Sequence, residues 1–465
     1  MSSRASAGGA AISFIENEGD CFASLAMTLI FISMVAILRQ MSLFSTQAKI
    51  SLDPIMGLIQ LASKDSHPDK FVAIVGSAAD DNGELIVPEA VKKVAKELTE
   101  KGIDMNYAPS PGINGLSELM TEEILGKKNQ AKILEKNIFI ASVTTCAGTN
   151  AIANTLVACT SKDDEIITHN PHWAGYDSVI NAIERKALNN FEILDSDENF
   201  NLEAFENCLN ECCAKSPNAK LAILLNTPFD NPLGKDFGKE TWNSIAKVLA
   251  KFSNKEILLI LDAAYIDFGP EGKDYRRLDF LADFFETINN PKFNLIIAGT
   301  VSKSFAMYSA RVGVAALLTT VKENADAWKN VAGGVVRGTF SNANRFAQEL
   351  ALKILQSPAL LAEVHDFQFQ TAKLLKERTS VLLEALKDLP DDFKVIKPDS
   401  GFFVSIKIKD KKIAKEFYER LLAEHIYVPL ISDQFLRIPV CGLSAQQLKN
   451  LASKLCAMSK TATAA

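Results

Sequence analysis

Histidine is scarce in this chain, with five among 465 residues. None lies beside Cys208, Cys212 and Cys213, which fall within one predicted helix, so the spacing of a zinc site is missing and no metal is expected. Eight cysteines in this length do not make the disulfide framework of a secreted scaffold. They are expected as reduced, partly buried thiols of a cytosolic protein. There is no basic tail and no aromatic–basic patch, and the net charge is -6, so nucleic acid is not an expected partner. The full glycine pattern of a dinucleotide fingerprint and the Walker loop are both absent. No internal repeat is visible. What is there is a hydrophobic fraction of 48% and a charged fraction of 23%, those of an ordinary globular protein, in a chain long enough for two or three domains.

The first forty residues stand apart. Cys21 to Leu38 is an uncharged, mostly apolar run of eighteen residues, just long enough to span a bilayer. Glu16, Glu18 and Asp20 precede it, so the positive leading region of a signal peptide is lacking. The stretch 20–28 resembles a peptide translated from repeated intergenic bacterial DNA, and Met41 is the expected start of the folded chain. A cytoplasmic location is expected. A form tethered to a membrane through residues 21–38 is the alternative if residues 1–40 are genuine.

From Met41 the apolar pattern is regular. Asp53 is a predicted N-cap, with Pro54 at the first helical position. Strands are predicted at Phe71–Val75, Ile138–Val143, Glu165–Thr168, Leu221–Leu225, Ile257–Leu261, Leu295–Ala298 and Val312–Leu318. Helices are predicted over Pro88–Lys101, Gly115–Leu125 and Ala151–Cys159, with a loop over 335–342 and a long helical region over 343–389 broken near Pro358. Strands Phe402–Ile408 and Phe435–Val440, with helices Lys411–Glu424 and Ser444–Met458, read as an α+β unit. Apolar strands separated by helical stretches give a mainly parallel sheet with helices on both faces. Polar residues recur just after the strand ends: Gly148, Trp173, Asn231, Asp262 and Lys303. In an open α/β sheet these converge on one edge, where ligands bind. A partly desolvated lysine there loses its charge more easily and suits a Schiff base. The small-residue turn before the helix at 151 offers free backbone N–H groups to an anion.

Taken in order, Asp53-Pro-Ile-Met-Gly-Leu58, Val75-Gly76, Asn106-Tyr107, Ala147-Gly148-Thr149, Trp173, Asn231-Pro232-Leu233-Gly234, Asp262-Ala-Ala-Tyr265, Ser302-Lys303 with Arg311, Arg337 through Phe340-Ser-Asn342, and Arg437-Ile-Pro-Val-Cys-Gly442 resemble the class I aminotransferases of pyridoxal-phosphate fold type I, nearest the aspartate and aromatic branch. The resemblance implies an α/β large domain, with a mainly parallel seven-stranded sheet between helices, over residues 87–345. It implies a small α+β domain from residues 346–465 with part of an N-terminal arm, 41–86. It implies the cofactor pyridoxal 5'-phosphate and transfer of an amino group from an amino acid (aspartate, glutamate or aromatic) to a 2-oxo acid such as 2-oxoglutarate by ping-pong kinetics. A β-lyase on the same scaffold, or a non-catalytic cofactor-binding regulator, are the alternatives.

The resemblance also implies roles. Lys303 would hold the cofactor and move the α-proton. Asp262 would pair with the ring nitrogen, and Tyr265 and Asn231 with the ring oxygen. Trp173 would stack on the ring, and Gly148, Thr149, Thr300 and Arg311 would bind the phosphate. Arg437 would clamp the α-carboxylate, near Gly76, Trp173 and Asn231. Tyr107 and Arg337 would act in the partner's site, implying a homodimer with shared active sites. Leu233 stands where the family usually has threonine, and Tyr176 and Asn226 where the aspartate branch has histidines.

Overall fold

Successive residues of the central strands face opposite ways, and both faces are apolar. Ile257, Leu259 and Leu261 join one hydrophobic core while Leu258 and Ile260 join another. A strand buried on both faces reads as a continuous apolar run rather than an alternating one, which is why these strands were legible as runs. In the computed structural model, residues 54–102, 104, 106–269 and 278–462 are described. The expectations for residues 1–40 and for Asp53 lie outside them. No helix among the described residues is long and apolar enough to cross a membrane.

A two-residue strand β1 (Phe71–Val72) comes first. It is followed by β2 (Phe139–Thr145), β3 (Glu165–Asn170), β4 (Asn189–Glu192), β5 (Leu221–Asn226), β6 (Ile257–Asp262), β7 (Phe293–Thr300) and β8 (Gly313–Thr319). These last seven form one sheet in the order β2-β8-β7-β6-β5-β3-β4. β8 runs antiparallel to both neighbours, and the remaining pairings are parallel. One face is covered by helices that include Leu116–Leu125, Leu202–Lys215, Lys239–Ala250 and Arg345–Gln356, and the other by Ala147–Cys159, Gly175–Ala182 and Lys322–Thr339.

A second sheet follows in sequence. Strands β9 (Phe393–Ile396), β10 (Phe403–Ile408), β11 (Ile426–Tyr427), β12 (Leu430–Ile431) and β13 (Phe435–Pro439) complete the strands of the described residues. Their order is β12-β13-β10-β9, while β11 pairs in parallel with β1. The 28-residue helix Pro358–Ala385, started by Pro358 behind the capping Ser357, packs Leu375 and Leu382 into the core of this second sheet.

Three expectations need correction, and some elements were not foreseen. The strand expected at 71–75 is formed only over Phe71–Val72. The turn expected before residue 151 is helical from Ala147. The helix Lys127–Glu135 and strand β4 went unforeseen, being short and rich in lysine and asparagine. The loop expected at 335–342 is helical to Thr339, so Arg337 stands in the last turn of Lys322–Thr339. Gly333, Gly334, Val335 and Val336 are poor helix formers, but Trp328, Ala332 and Val336 bury one face and Gly333 lies against Pro111, and this packing overrides propensity.

Candidate active site

The ends of β2, β3, β5, β6 and β7 deliver Gly148, Thr149, Trp173, Asn226, Asn231, Asp262, Tyr265, Thr300, Ser302, Lys303 and Arg311 to one cavity, with an empty volume of about 490 Å³. All five residues expected to converge on that edge are among them. A larger cleft, with an empty volume of about 990 Å³, opens at the opposite edge of the sheet. Its Lys220, Lys255 and Lys292 donate to the carbonyls of Cys159, Pro217 and Asn254, and it assembles no acid–base pair like that of Asp262 and Lys303.

Lys303 is carried on a single helical turn, Val301–Ser304, that begins where β7 stops. Thr300 caps it, its hydroxyl oxygen accepting the Ser302 N–H at 3.1 Å. Ser304 donates back to the Thr300 carbonyl at 3.0 Å. The lysine amine lies 5.6 Å from the centre of the Tyr265 ring. Burial holds its pKa below the ordinary lysine range; Asp262 pulls it upward and Arg311 downward.

Asp262 ends β6 and is almost fully buried. Burial pushes its pKa up, against the hydroxyl of Tyr176, the Lys303 charge and the Ala264 N–H. The Tyr176 hydroxyl donates to its Oδ2 at 2.8 Å. Asn226 donates to the Asp262 carbonyl at 2.8 Å, and accepts the Asn231 N–H on its own side-chain oxygen at 2.7 Å. Tyr176 and Asn226 therefore hold Asp262 and Asn231 in place, the positions whose departure from histidine the sequence had marked. Trp173 meets Tyr176 edge-on at 5.5 Å. Gly175 is required beneath it, since a Cβ there would come within 2.3 Å of the indole.

The other end of the cavity is built for an anion. The first N–H groups of Ala147–Cys159 have no intrahelical acceptor. Beside them are the hydroxyls of Thr300 and Ser302, hydrogen-bonded at 2.9 Å, and Arg311, whose guanidinium donates to the Tyr308 carbonyl at 3.0 Å and lies 3.5 Å from Ser302 Oγ. Ala147 and Arg311 have φ of 63° and 56°, a left-handed backbone costing roughly 1–2 kcal/mol for a non-glycine residue. Gly313 admits this turn: a Cβ there would lie 2.6 Å from the Ala147 backbone. Ser302 was not singled out from sequence, although it adjoins Lys303.

Arg437 stands on β13, outside the cavity lining but joined to it. It donates to Asn231 Oδ1 at 3.3 Å and to the Ile74 carbonyl at 2.5 Å, and its guanidinium lies 4.4 Å from the centre of the Phe403 ring. Asn231 in turn reaches the Tyr265 hydroxyl at 3.5 Å. Gly76 lies under the same Phe403 ring, where a Cβ would come within 2.6 Å. Tyr107 and Arg337 do not line the cavity of their own chain. Tyr107 is 85% exposed, and Arg337 donates to Ser341.

The loop carrying Asn231 is itself held by Asp230, whose carboxylate accepts the N–H groups of Leu233 and Lys235 at 3.1 and 2.9 Å. Burial raises its pKa to about 7 in spite of those donors. An unfolded aspartate titrates near 3.9. The folded form thus binds the extra proton, and the stability this confers is full below pH ~4 and lost as pH rises through about 7. Asp230→Asn is expected to flatten that slope in denaturant titrations between pH 5 and 8; an unchanged slope would assign it to other groups.

The donor set fits a phosphorylated heteroaromatic aldehyde: anion donors at one end, an indole beside the space, and a buried carboxylate and amine at the other. A family model described as aminotransferase class I and II matches residues 75–455. The aspartate aminotransferase of Escherichia coli (strain K12) is 26% identical over 413 residues, covering 87% of this chain and 97% of that protein. The mitochondrial aspartate aminotransferase of Dictyostelium discoideum is 25% identical over 417 residues, 88% of this chain and 91% of that one. Among solved structures, an aminotransferase from Anaerococcus prevotii matches with a TM-score of 0.76 at 22% identity, over 90% of this chain and 100% of that chain. An aromatic-amino-acid aminotransferase from Burkholderia pseudomallei, covalently bound to pyridoxal phosphate, matches with a TM-score of 0.71 at 22% identity, over 90% of this chain and 100% of its own.

Proposed function

The chain belongs to the class I and II aminotransferases, pyridoxal-phosphate enzymes that transaminate amino acids, and from that premise we propose the roles of its residues and its substrates. When bound, the cofactor supplies a ring that accepts negative charge developing at the amino acid's α-carbon. Gly148, Thr149, Thr300, Ser302 and Arg311 hold its phosphate. Trp173 covers the ring, Tyr265 and Asn231 donate to its oxygen, and Asp262 keeps a proton on its nitrogen. Lys303 attaches the cofactor and then, as a free amine, moves the proton at the α-carbon. The observation that carries this reading is the half-buried Lys303 and the buried Asp262 in one cavity, each pulling the other toward its charged form against desolvation.

Arg437 pairs with the α-carboxylate as a planar, bidentate donor. Aspartate or glutamate and an aromatic amino acid are the donors we propose, with 2-oxoglutarate as acceptor; the names of the relatives support aspartate and aromatic donors. The exposure of Tyr107 and Arg337, away from their own cavity, supports a homodimer in which each completes the partner's site. The separate cores of the two sheets support a large and a small domain, with the helix Arg345–Gln356, expected in the small one, packing in the core of the large sheet.

The test is the visible absorption of the purified protein, reconstituted with pyridoxal phosphate, on adding aspartate, glutamate, tyrosine or phenylalanine singly. The band of the lysine-bound cofactor should convert to that of the aminated cofactor and return with 2-oxoglutarate. Conversion by aromatics alone would remove Arg337 from the substrate reading, and a protein that takes up no chromophore would remove Lys303.

A further inference from the structure

The amine and α-carbon of a substrate belong at Lys303, and its carboxylate at Arg437. These two residues stand on different sheets: Lys303 follows β7 of the seven-stranded sheet and Arg437 lies on β13 of the four-stranded one. Something must fix the distance between them, because a misplacement of ~1 Å costs about a hundredfold in rate.

The segment 73–79 runs between the two. Its hydrogen bonds are mostly to the C-terminal part of the chain. The Ala73 N–H donates to the Tyr427 carbonyl at 2.9 Å and the Ala79 N–H to the Cys441 carbonyl at 2.9 Å. Arg437 donates to the Ile74 carbonyl at 2.5 Å, and the buried Arg378 donates to the carbonyls of Ala79 and Cys441 at 2.9 and 3.0 Å. Besides the nearby Ile86 N–H, which donates to the Ala78 carbonyl at 3.1 Å, one partner differs. The Ala78 N–H donates at 3.0 Å to the hydroxyl of Tyr308, five residues beyond Lys303 on the same loop. The Tyr308 carbonyl meanwhile accepts from Arg311.

We infer that Tyr308 is a positioning residue that sets the carboxylate clamp in register with the cofactor loop. Its hydroxyl ties segment 73–79 to the loop of Lys303, and the segment passes its position to Arg437 along two routes. One is the Ile74 carbonyl. The other is Gly76, which lies against the Phe403 ring stacked on the Arg437 guanidinium. Substrate geometry then depends on a hydroxyl that touches neither substrate nor cofactor. The inference rests on the assignment of Arg437 to the substrate carboxylate.

The test compares Tyr308→Phe and Arg437→Leu as holoenzymes. The probe is 2-methylaspartate, which binds as an amino acid but has no α-proton to lose. Tyr308→Phe should keep its cofactor content and absorption, bind the probe about tenfold more weakly, and show a larger rise in KM than fall in kcat; tenfold is the scale of one lost hydrogen bond. Amide exchange at residues 73–79 should quicken. Arg437→Leu should weaken probe binding by about a hundredfold, the scale of a charged hydrogen-bonded pair. If Arg437→Leu is lost while Tyr308→Phe binds as the wild type does, with or without faster exchange, the inference fails alone. If Arg437→Leu binds normally, the assignment of Arg437 fails and the inference falls with it.

Discussion

Lys303→Ala is expected to lower turnover by on the order of 10⁴, the upper end for one positioned acid–base group. On the proposed assignment two functions would be lost together, since the same amine would attach the cofactor and move the α-proton. The fold should survive, because Lys303 sits on one helical turn held by other residues: Thr300 caps it, and Ser302 and Ser304 bond back to Thr300. Circular dichroism should therefore match the wild type. Borohydride reduction followed by peptide mapping separates the roles. In the wild type it should fix the cofactor on the peptide holding Lys303, and in the variant it should fix none. Attachment at another lysine, with activity retained, would sink the assignment.

The second large effect is expected at Asp262. Removing one partner of a buried charged pair costs about 3–5 kcal/mol, on the order of 10³ in rate. Asp262→Asn keeps the shape but has no charge with which to hold a proton on the ring nitrogen, so kcat should fall by about that factor and cofactor affinity should fall with it. Tyr176→Phe probes the same carboxylate from behind. The Tyr176 hydroxyl draws the Asp262 pKa down, against burial, which raises it. Without that hydroxyl the pKa moves further up. The acid side of the kcat/KM profile should then shift to higher pH, since the ionised carboxylate is the useful form. A profile that stays in place would mean that Tyr176 only fills space.

Most residues that line the candidate cavity were legible because they follow an apolar run. Leu221–Asn226, Ile257–Asp262 and Phe293–Thr300 announce buried strands, and a polar residue just past such a strand falls on the ligand edge. Lys303, Asp262 and Asn231 needed only that rule and their motifs. Tyr308 and Arg378 could not be read this way. Their partners, Ala78 and Ala79, lie hundreds of residues away, and nothing in either local sequence marks the pairing. Arg337 was placed on a loop because glycine and valine argue locally against a helix. Burial of Trp328 and Val336 outweighed that preference. The two-residue strands β11 and β12 carry too few residues to show any period at all.

The reversed strand β8 has a consequence for the chain as it leaves the ribosome. β2 is made early, yet its partner in the sheet is β8, so Thr145 waits for Gly313. Strands β3, β5, β6 and β7 pair side by side in the order of synthesis. β2 joins only after β8 has turned back between it and β7. The anion cup follows the same schedule, because Ala147 comes straight after β2 while Thr300, Arg311 and Gly313 come at the other end of that wait. A nascent chain that ends between Lys303 and about residue 319 has the lysine but not the completed strand beside the cup. The cup is thereby complete only in a chain that has made β8.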